Sequence, residues 1–237
     1  MQDDTLFWTY DKNFYWVTRD KIFFSINKFI VVDATYMKAL AFHYQVLWLL
    51  SLVNASLAHG QIEGVSPHWS QAELRSANTT KAARHYMNST ERDIITILNL
   101  ARLYPKRFVE LELTKDQENH NNEYKRSLVQ HMMAMEPLNA LMPSQSMYDL
   151  AHCWATESGE LGLIGHKRLQ CDDGFFAECC SYGHNKAISI VLQLLIDHGV
   201  QDLGHRKICL SNRYAEVGVS LANHSAWEHV CVLDFYP

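Results

Sequence analysis

Two histidines and two carboxylates, His166, Glu178, Asp197 and His205, stand where side chains could do chemistry. His166 lies in "LIGHKR", after a candidate helix and between glycines, and His205 lies in "LGHR". Glu178 sits in the candidate strand "FFAECC", and Asp197 sits in the last turn of the candidate helix "NKAISIVLQLLIDHGV". A carboxylate at a helix C-terminus faces the negative end of the macrodipole, which costs a few tenths to about 1 kcal/mol. Asp197 also continues the stripe of Ile190 and Leu194 and so leans toward buried surface. A local rule broken in this way points to a functional site.

Imidazole nitrogens and carboxylate oxygens suit zinc or a similar divalent cation. The same four groups can serve as general acid and base without a metal. They can also form a structural polar network, with Asp197 and His198 as a solvated helix end. The spacings of 12, 19 and 8 residues match no local metal motif, so residue types alone leave these readings open.

The elements that must position them follow from periodicity. In "NSTERDIITILNLARLYP", Thr90 and Asp93 have capping spacing, and Ile94, Ile97, Leu98 and Ala101 share a helix face. Pro105 suits the first turn of a short second helix. "EYKRSLVQHMMAM" places Leu128, Met132 and Met135 on one stripe. "SQSMYDLAHCWATESGE" pairs Ser146 with Asp149 as a cap and gathers Met147, Leu150, Ala151 and Trp154. The helix after Asn185 is apolar around most of its circumference, which marks it as central, and Gly199 suits the left-handed position that ends it. Beyond it the period becomes two: Ala215, Val217, Val219 and Leu221 alternate, "ANHS" turns, and Cys231, Leu233 and Phe235 share one face of a second strand. With "FFAECC" as a third strand, the pattern predicts an α+β fold in which helices pack on a small antiparallel sheet.

With 237 residues, 48% of them apolar, the chain can build one main domain and a small appendage. A net charge of −5, a pI near 6.2 and scattered lysines and arginines argue against a nucleic-acid partner.

Residues 37–58, "MKALAFHYQVLWLLSLVNASLA", have the layout of a secretory signal peptide: Met37 and Lys38, an apolar centre from Val46 to Val53, then Ser56-Leu57-Ala58. Residues 1–36 then read as an extension from a start codon placed too far upstream, and residues 59–86 as a polar lead-in to a domain over 87–237. A membrane anchor or a buried helix are the alternatives. His43, Gln45 and Asn54 weaken the anchor, so the mature form is expected to have no stable membrane span. The expected location is secreted, periplasmic or extracellular.

An oxidising compartment makes disulfide candidates of the six cysteines, Cys153, Cys171, Cys179, Cys180, Cys209 and Cys231. Pairing of Cys171 with Cys179 or Cys180 across "DDGFFAE" is the first expectation. Cys231 can bridge to Cys209 or stay a buried thiol, and thiolate ligation of a metal is a further reading. Connectivity does not follow from sequence. No histidine and amide or acid partners are specifically arranged around a cysteine, so a catalytic thiol is not expected.

The blocks "ILNLARLYPKRF", "LAHCWATESGELGLIGH", "AECCSYG", "AISIVLQLLID" and "LGHRKICLSNRYAEVGVSL" resemble, in order and spacing, the CAP superfamily, or SCP domain: cysteine-rich secretory proteins, antigen 5 and pathogenesis-related proteins. The resemblance covers residues 87–237 and is nearest the bacterial-type branch with Gly-His-Arg. It implies a three-layer α-β-α sandwich, secretion, and a cleft of two histidines and two acidic residues that can hold zinc or another divalent cation. His166 and His205 take the histidine positions. Glu178 takes the glutamate of the Gly-Glu-Asn block, here Ala177-Glu178-Cys179, and Asp197 takes the second acidic position. One methylene shorter than glutamate, Asp197 would reach a metal through water. The implied function is a secreted binding or interaction module for a small-molecule, lipid or protein ligand. The alternative is a metal-dependent hydrolase, a peptidase or esterase, with Glu178 as general base.

Overall fold

A computed structural model describes residues 62–114 and 123–237, together with the backbone of residues 6–10, 13–18, 21–25 and 29–33. The segment 37–58, read as a signal peptide, lies outside the described residues. The chain divides into two compact units, Met1–Gly60 and Gln61–Pro237. In the first, strands β1 (Leu6–Tyr10), β2 (Asn13–Thr18), β3 (Lys21–Ser25) and β4 (Phe29–Asp33) pair antiparallel in sequence order. Their sequences are rich in the aromatic and β-branched residues that favour extended backbone.

The second unit is α+β. Its helices are α1 (Gln71–Ala77), a 3-10 turn (Thr80–His85), α2 (Ser89–Leu103), α3 (Pro105–Phe108) running into a π turn (Val109–Leu113), α4 (Glu123–Ala134), α5 (Gln145–Leu161), α6 (Ala187–Ile196) and α7 (Gly204–Cys209). Strands β5 (Met142–Pro143), β6 (Ala177–Tyr182), β7 (Glu216–His224) and β8 (Glu228–Tyr236) form a sheet in the order β5-β7-β8-β6. The sheet is mixed where an antiparallel one was expected. The three long strands are antiparallel, but the two-residue β5 pairs parallel with β7, too short a run to leave a period in the sequence.

The helix periodicities hold while the caps shift. Asn88 and Glu91, not Thr90 and Asp93, form a full capping box at α2. Both pairs have the right spacing, and the earlier one starts the helix two residues sooner. At α5 the N-cap is Ser144 instead of the Ser146–Asp149 pair, and at α6 it is Lys186 instead of Asn185; neither has a side-chain cap bond. Residues 62–86, read as a lead-in, place Val65, Trp69, Ala77, Ala83 and Met87 (one residue beyond) in the core.

Alternation along the strands divides the buried side chains into two clusters. One joins Cys179, Val217, Val219, Cys231, Leu233 and Phe235 with α2 and α6 residues such as Ile94, Leu98, Ile190 and Leu194. The other joins Cys180, Val230 and Val232 with Ala151, Trp154 and Ala155 of α5. Helix α5 lies so close to β7 that a Cβ at Gly218 would stand 1.9 Å from the Tyr148 amide nitrogen, and one at Gly159 2.1 Å from the Asn223 carbonyl oxygen. Only glycine permits that approach.

Candidate functional site

The edge strand β6 organises the site. Its side chains point alternately to opposite faces, so Glu178 and Cys180 face one way and Cys179 the other. The loop after α5 brings His166 over Glu178, with Nδ1 2.7 Å from Oε1. On the Cys179 side, the turn after α6 brings Asp197 to His205, the second residue of α7, with Oδ1 2.7 Å from Nδ1. The two imidazole rings approach within 6.4 Å, centroid to centroid. The four residues named from sequence are therefore gathered as two histidine–carboxylate pairs that straddle one strand.

His166, Asp197 and His205 line a cleft of about 570 Å³, and Glu178 lies behind His166. The cleft wall is apolar at Leu192, Leu194, Ile196 and Val200 and polar at His184, Ser189 and Gln193. Both carboxylates are buried, with side-chain exposures of 2% for Glu178 and 1% for Asp197, whereas His166 is 55% exposed and His205 22%. The imidazoles thus present themselves to the cleft while the acids stand behind them.

Each carboxylate has both oxygens engaged. The second oxygen of Glu178 accepts from Arg168, which also donates to Asp234 Oδ2 at 2.8 Å. Arg168 is fixed by the Leu150 and Asp172 carbonyls and lies over the Phe175 ring. Asp234 sits directly opposite Glu178 in the β6–β8 register. Two buried acids across a ladder repel unless a cation joins them, and Arg168 is that cation. Burial, with Glu178 adding to it, pushes the Asp234 carboxyl up to about 8 despite Arg168. The hydrogen bond that His166 donates to Glu178 holds the His166 pKa above its ordinary value against the opposing effect of burial.

On the other side, Asp197 Oδ2 accepts from the Arg206 amide, and the Arg206 guanidinium donates to the carbonyls of Leu195 and Ile196 at the end of α6. That cation at a helix C-terminus offsets the unfavourable placement of Asp197. The helix ends earlier than expected: Asp197 itself takes the left-handed cap with φ 58°, and Gly199 is left-handed as well. Leu203, just before Gly204-His205, also has φ 54°. A bulky residue there is strained, and such strain collects where a site over-determines the backbone.

The cysteines depart from the first expectation. The disulfide joins Cys171 to Cys153, not to Cys179 or Cys180, and Cys209 and Cys231 are not bridged. Cys179 and Cys180 are committed to the two hydrophobic clusters, whereas Cys171 lies in a loop that crosses α5 next to Cys153. The bridge closes the loop that carries His166 and Arg168. Cys180 Sγ stands 3.9 Å from His166 Nδ1, the same nitrogen that Glu178 holds. A base nitrogen already engaged by an acid does not activate that thiol, and burial raises the thiol's pKa further.

As for metals, the donor atoms of His166, Glu178 and Cys180 all lie within 4.8 Å of one another, close enough to share a cation. Among the described residues, Nε2 of neither His166 nor His205 has a hydrogen-bond partner. Arg168 and Asp234 were not singled out from sequence. Their signal was indirect, in that two acids at inward positions of neighbouring strands require a buried cation.

Comparison with protein-family models gives no match, and comparison with curated proteins gives none. No helix among the described residues is long and apolar enough to cross a membrane.

Proposed function

We propose that residues 87–237 form a CAP-type (SCP) domain, a three-layer α-β-α sandwich, acting as an exported binding module whose cleft holds a divalent cation, with zinc the best chemical match. The observation that carries the reading is the paired geometry: each histidine turns Nδ1 to a buried carboxylate and keeps Nε2 for the cleft. A histidine that ligates a metal commonly donates its other nitrogen to a carboxylate, which fixes tautomer and ring orientation. In this reading His166 and His205 are the ligands. Glu178 and Asp197 stand buried behind them and orient them. The two hydrophobic clusters divided by strand alternation support the three-layer arrangement. The apolar wall beside the polar cleft suits a partly apolar ligand.

A bound divalent ion would supply Lewis acidity and orient a ligand's oxygen or carboxylate. The hydrolase alternative is less well supported, because Glu178 is buried behind His166, does not line the cleft and already accepts from His166 and Arg168. The test is zinc titration by calorimetry, with metal analysis, on the wild type and on His166→Ala with His205→Ala. One equivalent in the wild type and none in the double variant is expected. Equal binding by both overturns the assignment.

A further inference from the structure

Apart from the Cys153–Cys171 bridge, four thiols remain, all buried: Cys179, Cys180, Cys209 and Cys231. Two of them meet beneath the cleft. Cys179 follows Glu178 in β6, and Cys209 closes α7 four residues after His205. The Cys179 thiol lies 3.9 Å from the His205 carbonyl oxygen. In helical register that carbonyl also receives the Cys209 amide one turn on, so the Cys179 thiol and the Cys209 backbone share one acceptor. Both belong to the same hydrophobic cluster, and α7 packs on β6. Cys180 points into the other cluster and is no competitor.

We infer that Cys179 and Cys209, free thiols in this structure, close on oxidation into a second disulfide that ties the strand carrying Glu178 to the helix carrying His205. The reaction is thiol–disulfide exchange with a small-molecule disulfide such as oxidised glutathione. One cysteine thiolate attacks the oxidant's sulfur, forming a mixed disulfide and expelling one glutathione thiolate. The second cysteine thiolate attacks the protein-bound sulfur and expels the other. Two electrons pass from the cysteines to the oxidant, and the two cysteine protons end on the two glutathione thiols. Burial keeps the folded Cys179 thiol protonated and both thiols out of reach of the oxidant, so closure occurs during folding or on local opening of the short α7.

The test is to refold the chain with oxidised and reduced glutathione, alkylate, and digest with trypsin without reduction. Cys209 then lies in peptide 208–213, Cys171, Cys179 and Cys180 in 169–186, and Cys153 in 127–167. Wild type and Cys180→Ser are expected to give these three peptides as one linked species, and Cys179→Ser to release 208–213 alkylated. Alkylated 208–213 in the oxidised wild type, or its linkage to the Cys231 peptide 214–237, overturns the inference. Should Cys179→Ser fail to fold, the wild-type and Cys180→Ser maps decide by themselves. A bridge that the native fold accommodates also raises the melting temperature by about 10 °C over Cys209→Ser, and no rise counts against it.

Discussion

His166 and His205 stand on opposite sides of the edge strand β6 with ring centroids 6.4 Å apart, and each is held through Nδ1 by a different buried carboxylate. The strand is the partition between two half-sites that share one cleft. Each half has its own acid and its own arginine, Arg168 behind Glu178 and Arg206 behind Asp197.

Glu178→Gln and Asp197→Asn should each lower zinc affinity by about 10- to 100-fold while the fold is kept, because each weakens the bond that orients a ligand. Calorimetric titration of the two single variants is the measurement. Wild-type affinity in either one would remove that carboxylate from the proposed role.

Removing Arg168 should damage stability through its two acids. Above the Asp234 pKa of about 8, where both acids are ionised, Arg168→Met leaves Glu178 and Asp234 facing each other without a counter-charge, a loss of about 3–5 kcal/mol for a broken buried pair. Asp234→Asn in the same chain should restore part of that loss, because only one acid then remains. A urea-denaturation double-mutant cycle measures the coupling, and strictly additive effects would contradict the arrangement.

Stability should decline as pH rises from about 4 to about 8. The folded-state pKa of His166 is raised, first by its hydrogen bond to Glu178, so its contribution is complete below the unfolded value of 6.5 and fades above it. Asp234 works in the same direction. The unfolded carboxyl ionises near 3.8 but the folded one, raised by burial, near 8, so stability drains away across that interval. Melting curves should show a shallower fall with pH for Asp234→Asn than for the wild type. Parallel pH profiles would mean that Asp234 does not titrate in this window.

Opening the Cys153–Cys171 bridge should act locally as well as globally. The loop spans 18 residues and carries His166 and Arg168, and its closure is worth about 3 kcal/mol. Cys153→Ser with Cys171→Ser should therefore lower the urea midpoint and weaken zinc binding. A lowered midpoint with unchanged zinc affinity would show that the loop holds its shape without the bridge.

Periodic features were the legible ones. Leu128 and Met132, the β7–β8 hairpin and the apolar helix over Ala187–Ile196 repeat often enough for their period to identify them. Asp197 was legible because it broke a rule on a buried stripe, and it is 2% exposed. Features made by a single contact between distant segments left no such trace. Arg168 looks like any loop arginine until Asp234 is placed across from Glu178, and β5 is two residues long. The Cys171 partner was sought nearby in sequence, but strand geometry sends Cys179 and Cys180 into separate clusters. Capping was ambiguous because "NSTERD" contains two overlapping solutions, and Asn88–Glu91 is the one the helix uses.

The contact of α5 with β7 through Gly159 and Gly218 is a seam of backbone against backbone. Such a seam has no side chains to vary, so no compensating substitution can widen or narrow it. Cys153 rides on that same helix, and the height at which its bridge suspends His166 above Glu178 is therefore fixed by main-chain geometry. Variation can reshape the cleft wall along α6 freely, but the ceiling over the strand cannot be moved without giving up the fold.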